Sequence, residues 1–181
     1  MIACLDVGYE DTAAHAAGVI SMDWADAVTV TENVVVIPHV EPYQSGEFFR
    51  RELPCLLAVL NVLPKPETVV IDGYVWLNVA GKPGLGAYLY RELGERVPVI
   101  GVAKTKFEGA HAEEVLRGKS DRPLFVTSVG MEAETAAMCI RSMHGNNRIP
   151  TLLKRVDWLC RRARTGGLKN PPSHLGMRGT S

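Results

Sequence analysis

Three acidic side chains stand where regular elements begin, end or break off among apolar neighbours. Asp6 interrupts the β-like run Ile2–Val7, Asp72 directly follows Val69-Val70-Ile71, and Glu52 precedes a leucine-rich helix. A carboxylate taken out of water without a partner is costly. If the first and fourth strands are neighbours, Asp6 and Asp72 lie side by side and need a cation between them. Mg²⁺ suits that place, being a hard ion that accepts a few carboxylates and keeps water for a substrate phosphate. A pair of such ions generates hydroxide and stabilises the leaving oxygen of a phosphodiester. Spacing alone leaves a plainer alternative open. A strand-end Asp is also a turn former or helix cap, and a Glu near a helix start is favoured by the helix dipole.

The elements that must hold these residues follow from hydrophobic periodicity. Ile2–Val7, Thr12–Met22 and Ala27–Ile37 are β-like, with Asp23–Asp26 as a turn, and together predict an antiparallel meander. Leu53, Leu56, Leu57 and Leu60 form a helical stripe, with Pro54 acceptable in a first turn. Thr68–Ile71, Val97–Val102 and Pro123–Thr127 read as buried strands, and Leu85, Leu89 and Leu93 mark a helix closed by Gly94. Ala133, Ala136, Ala137, Ile140 and Met143 trace another helix, and Leu152, Val156, Leu159 and Ala163 the buried face of the last. Three strands followed by alternating helices and strands predict an α/β mixed sheet with helices packed on its faces.

At 181 residues with 46% hydrophobic and 22% charged content, the chain fits one domain, over 1–164. The Gly- and Pro-rich stretch 165–181 predicts a disordered tail. No run of about 18 apolar residues offers a membrane span, and the start Met1–Asp6 lacks the pattern of a signal peptide. The expectation is a cytoplasmic monomer with no membrane partner. Cys4, Cys55, Cys139 and Cys160 are widely spaced and form no CxxC pair, which favours reduced, buried thiols. Twenty basic and twenty acidic residues cancel, yet residues 151–181 hold seven bases and one acid, Asp157, leaving the first 150 at −6. Any basic surface is therefore local.

Four blocks occur in register: Asp6-Val7-Gly8-Tyr9; Pro42-Tyr43-Gln44-Ser45-Gly46 leading to Phe49-Arg50-Arg51-Glu52-Leu53-Pro54; Val69-Val70-Ile71-Asp72-Gly73; and Ile100-Gly101-Val102-Ala103-Lys104. In order and spacing they resemble the endonuclease V family from about Ile2 to Ala163. The resemblance implies a ribonuclease H-like sheet, three antiparallel strands then parallel ones. It also implies a Mg²⁺-dependent endonuclease of nucleic-acid repair, with Mn²⁺ able to substitute, that cuts DNA or RNA on the 3′ side of a deaminated base, chiefly inosine. Asp6, Glu52 and Asp72 match the family's metal-binding carboxylates, and Glu132 falls at a further acidic position near the last site element. Lys104 matches a catalytic lysine that balances phosphate charge. Tyr43 stands where the family places an aromatic wedge beside the lesion, Arg51 matches an arginine beside the catalytic glutamate, and Gly84 and Gly86 resemble the start of the helix flanking the base pocket.

The chain departs from the family in three segments. A His-Pro-Arg stretch after the Asp-Gly pair is replaced by Tyr74–Pro83, where Asn78 and Lys82 are partial substitutes, and the late histidine is absent around Ser128–Glu134. The wedge tyrosine is followed by Ser45 where the family has proline. These losses keep two alternatives open: a catalytically weakened inosine- or nucleic-acid-binding protein on the same fold, and a structure-selective nuclease. Trp24, Trp76 and Trp158 are read as packing residues, with Trp76 the one nearest the expected pocket.

Overall fold

β1 (Ile2–Glu10) and β2 (Ala13–Ser21) pair antiparallel with Ile2 opposite Ser21, and β3 (Thr31–Ile37) lies antiparallel beyond β2. The chain continues through α1 (Phe48–Leu60), β4 (Thr68–Asp72), α2 (Leu85–Glu92), β5 (Val99–Ala103), β6 (Glu113–Val115), β7 (Leu124–Val129), α3 (Ala133–Ser142) and α4 (Thr151–Arg164). The computed structural model describes residues 1–10, 12–40 and 48–164; the expected tail at 165–181 lies outside them. Seven strands form one sheet in the order β3-β2-β1-β4-β5-β7-β6. β4 runs parallel to β1 and β5 parallel to β4, while β7 is antiparallel to both β5 and β6. This is the mixed, helix-flanked sheet expected.

Strand alternation divides the core into two layers. Ala3, Leu5, Val69, Ile71 and Val99 face one side with the apolar residues of α1 and α2. Ile2, Cys4, Val70, Ile100 and Val102 face the other with those of α3 and α4. The same alternation carries Asp6, Asp72 and Lys104, two residues beyond Cys4, Val70 and Val102, onto the α4 side.

Two expectations need correction. α1 starts at Phe48, so Glu52 lies inside the helix and Pro54 is its seventh residue, beyond the first turn. Proline there removes one backbone hydrogen bond, but the turn also buries Cys55, Leu56 and Val59, which anchor the helix to the sheet. β6, three residues with two glutamates, was not anticipated; it adds the edge strand beside β7. Gly94 closes α2 as expected, with φ of +67°. The four cysteines are free thiols, and among the described residues no helix is long and apolar enough to cross a membrane.

Candidate active site

The parallel pairing of β1 with β4 sets Leu5 against Ile71, so one residue on Asp6 stands level with Asp72. Glu52, only 8% exposed, reaches the pair from α1 on the opposite face of the sheet. A fourth acid comes from α4. That helix approaches β1 closely because residue 8 is glycine: a Cβ there would meet the Cβ of Cys160 at 3.3 Å. The Cys160 thiol donates to the Asp6 carbonyl at 3.2 Å, and Asp157, one turn earlier, faces the strand ends. Asp6, Asp72, Lys104, Lys154, Asp157 and Arg161 supply the polar lining of a cavity of about 250 Å³. A smaller recess of about 10 Å³ lies where Asp6, Glu52 and Asp72 meet Leu56 and Leu85.

The electrostatics follow from this crowding. Burial and the Asp72 charge push the Asp6 carboxyl up to about 6, against the opposing pull of the Val7 amide that donates to it at 2.9 Å. Burial and the charges of Asp6 and Asp72 push Glu52 further, to about 8. Burial lowers the Lys104 ammonium, but its 2.8 Å hydrogen bond to Asp72 outweighs this and holds it above its ordinary value. Tyr9 is raised by burial and by the Glu52 charge; its ring lies under the Arg51 guanidinium, 3.8 Å from the centroid. The Tyr9 hydroxyl is buried facing the Glu52 carboxyl, and Arg51 Nε is buried without a hydrogen bond to the described residues.

The structure thus brings together Asp6, Glu52, Asp72 and Lys104, with Arg51 packed beside Glu52. Glu132 is not with them. It is the exposed residue capping α3, just beyond the end of β7. Because β7 runs antiparallel to β5, that end lies by Val99, whereas Asp72 lies by Val102 and Lys104 lies beyond it. Glu132 therefore stands at the opposite end of the sheet, well over 10 Å away at about 3.3 Å per residue. The further carboxylate is Asp157. Its signal in the sequence was a single acid on an otherwise basic amphipathic helix.

Gly84 and Gly86 do not border open space. A Cβ on Gly84 would meet the Tyr74 carbonyl at 2.5 Å and one on Gly86 the Val75 side chain at 2.6 Å, so the two glycines let α2 pack on the chain leaving β4. Within that segment the Asn78 side chain accepts from the Lys82 amide at 2.8 Å, and Trp76 pairs with Pro83. Asn78 is thus a turn former, and the Lys82 side chain is exposed. The Trp76 indole donates to the Ser128 carbonyl at 3.0 Å and packs on the core, as read. Tyr43 lies outside the described residues.

Do these residues fit a divalent metal ion? Among the described residues no three carboxylate, imidazole or thiol groups are drawn into a finished ligand set, and Asp72 is held by Lys104. Donor chemistry and space do fit. Asp6, Glu52, Asp72 and Asp157 are hard oxygen donors of like charge, Asp6 and Glu52 are desolvated, and the recess between three of them is about the size of one water.

Comparison with known proteins agrees with this geometry. The family model described as Endonuclease V matches residues 1–155. The Endonuclease V proteins of Streptomyces avermitilis and Streptomyces coelicolor are 32% and 33% identical over 88% of the chain, covering 78% and 77% of theirs. The crystal structure of the S. avermitilis protein superposes with a TM-score of 0.74 at 29% identity, over 91% of this chain and 81% of that one. The Ciona intestinalis Endonuclease V, in complex with a 24mer DNA containing an inosine followed by a ribo-adenosine, gives 0.76 at 20% identity over 91% and 86%. The ribonuclease H-like sheet, the acids at its strand ends and a match over most of the sequence agree: this chain belongs to the endonuclease V family of nucleases.

Proposed function

We propose that the chain is a metal-dependent endonuclease that hydrolyses a phosphodiester bond 3′ to inosine in DNA or RNA, in nucleic-acid repair. The observation that carries this reading is the level placement of Asp6 and Asp72 on parallel strands, with Glu52 and Asp157 reaching them from opposite faces of the sheet. Burial and neighbouring charges raise the proton affinity of Asp6 and Glu52, and four acids crowded together call for a cation. Mg²⁺ or Mn²⁺, when bound, supplies Lewis-acid stabilisation of phosphoryl oxygens and a nucleophile at neutral pH. Asp6, Glu52, Asp72 and Asp157 would hold it. Lys104, bonded to Asp72, is placed to balance the charge of a phosphate entering the cavity, and Lys154 and Arg161 line the same wall. The inosine-containing DNA bound by the Ciona relative supports the substrate class.

The segment Tyr74–Pro83 favours one modification of this reading. It closes on itself through the Trp76–Pro83 bridge and the 2.8 Å bond from the Leu77 amide to the Lys82 carbonyl. A turn of this kind in place of the family's His-Pro-Arg supports retained cleavage with weaker discrimination for the base.

The test is incubation of the purified chain with inosine-containing single-stranded DNA and RNA and their adenosine counterparts, in Mg²⁺, Mn²⁺ or EDTA. Nicking next to inosine that needs metal and is lost in Asp72→Ala is expected. Absence of nicking under every metal, or nicking unchanged in Asp72→Ala, overturns the proposal. Equal nicking of inosine and adenosine strands selects the less discriminating nuclease.

A further inference from the structure

Helix α4 presents three faces. Leu152, Val156, Leu159, Cys160 and Ala163 are buried against the sheet, while Lys154, Asp157 and Arg161 line the cleavage cavity. The third face carries Arg155, Trp158 and Arg162. Trp158 is 41% exposed, an unusual state for the largest apolar side chain on a helix whose other large apolar residues are mostly covered. The Arg155 and Arg162 guanidiniums lie 4.4 Å and 4.9 Å from its ring centroid. Arg155 is fixed in turn by Glu32 of β3, which accepts from its Nε at 2.8 Å and from a terminal nitrogen at 2.7 Å. Even with Asp157 and Glu32 counted, the helix keeps an excess of three positive charges.

At 100° per residue these positions form a continuous belt. From the cavity it runs Asp157, Arg161, Lys154, Trp158, Arg162 and then Arg155. Around a helix about 10–12 Å across, Trp158 is about 10 Å of surface from Asp157. That is the reach of about three stacked nucleotides. An exposed aromatic ring beside guanidiniums on a basic surface is the arrangement that binds single strands: a base stacks on the ring as Arg162 swings from it to a phosphate, while Arg155 stays anchored on Glu32. Trp158 and Arg162 also lie beyond the residues matched by the family model, 1–155.

We propose that the Arg155–Trp158–Arg162 face of α4 is a second nucleic-acid contact, which grips the single strand flanking the bond to be cut by stacking a base on Trp158. The proposal rests on the nuclease reading, from which it takes the direction of the strand out of the cavity. Arg155 is a positioning residue that Glu32 anchors. Trp158 and Arg162 touch the strand.

The probe is a labelled single-stranded oligothymidylate of about 20 nucleotides, titrated into the full chain in EDTA and followed by anisotropy and by tryptophan emission. Trp158→Ala is expected to weaken binding by about ten-fold. Trp158→Phe keeps an aromatic face and holds the loss within about three-fold, while abolishing the quenching of indole emission that the unmodified chain shows. Arg162→Ala lowers the slope of log affinity against log salt by about one. Trp158→Ala binding as tightly as the unmodified chain, or quenching that persists in Trp158→Phe, overturns the inference. Nicking of an inosine strand by the unmodified chain is scored separately. A chain that nicks while Trp158→Ala binds normally overturns this inference alone, and a chain that neither binds nor nicks overturns both.

Discussion

Replacing Glu52 by glutamine removes a carboxyl whose ionisation the fold opposes, and the consequence can be worked out. Burial and the charges of Asp6 and Asp72 push Glu52 from 4.5 to about 8. A carboxyl raised in the folded state leaves stability intact below 4.5 and removes it as pH rises towards 8. At about 1.4 kcal/mol per pH unit the loss is about 1 kcal/mol at pH 5, about 3 at pH 7 and about 5 at pH 9. Glutamine carries no charge at any of these values, so Glu52→Gln gains stability in proportion. For a chain of this size, about 2–4 °C per kcal/mol makes the gain roughly 10 °C at pH 7. Thermal unfolding in EDTA at pH 5, 7 and 9 measures it. Added Mn²⁺ should raise the midpoint of the unmodified chain at pH 8 and raise that of Glu52→Gln less. Nicking should fall more than about 100-fold, since even the residues that orient metal ligands are worth about 10–100-fold. A variant whose gain is the same at pH 5 and pH 9, or which is less stable than the unmodified chain at pH 9, refutes the reasoning.

Asp157→Asn should lower nicking more than about 100-fold while Glu132→Gln stays within two-fold of the unmodified chain; side-by-side rates on one inosine strand decide between the two acids as partner of Asp6 and Asp72. Asp6→Asn in EDTA should gain stability over a lower window, from 3.8 to about 6, and add nothing further above it. Its unfolding midpoint followed against pH gives the check. Gly84→Ala places a Cβ 2.5 Å from the Tyr74 carbonyl and should cost about 1–3 kcal/mol in chemical denaturation, whether or not substrate is present.

The placement of Asp6 and Asp72 was legible because it needs only strand periodicity and one assumption, that the first and fourth strands are neighbours; β1 and β4 meet it. The leucine stripes likewise placed α1, α2 and α4 on the faces they cover. The stripe starting at Leu53, with Pro54 in a first turn, places Glu52 before its helix. The extra turn from Phe48 was hidden, since a proline tolerated for the sake of buried neighbours leaves no sign in local preference. Topology keeps Glu132 from the site. Two acids and a valine give no strand signal, and β6 turns the chain so that β7 returns antiparallel to β5, which sends its C-terminal end away from the site. The reading of Trp158 as a packing residue is overturned by its exposure; the stripe Leu152, Val156, Leu159 and Ala163 leaves position 158 on the outside of the helix.

The zero net charge then acquires a structural cause. One helix supplies both an acid of the candidate site and bases beside it, because Asp157, Lys154 and Arg161 of α4 share the cavity wall. The Asp157–Arg161 pair at 2.9 Å is largely exposed and therefore weak. A strand entering the cavity thus meets carboxylates at the sheet ends and cations along α4, two surfaces of opposite sign on one cleft. Binding to such a cleft should grow with divalent metal, which offsets the acids, and weaken with monovalent salt, which screens the helix. A protein that bound its strand through net charge alone would show the second dependence without the first.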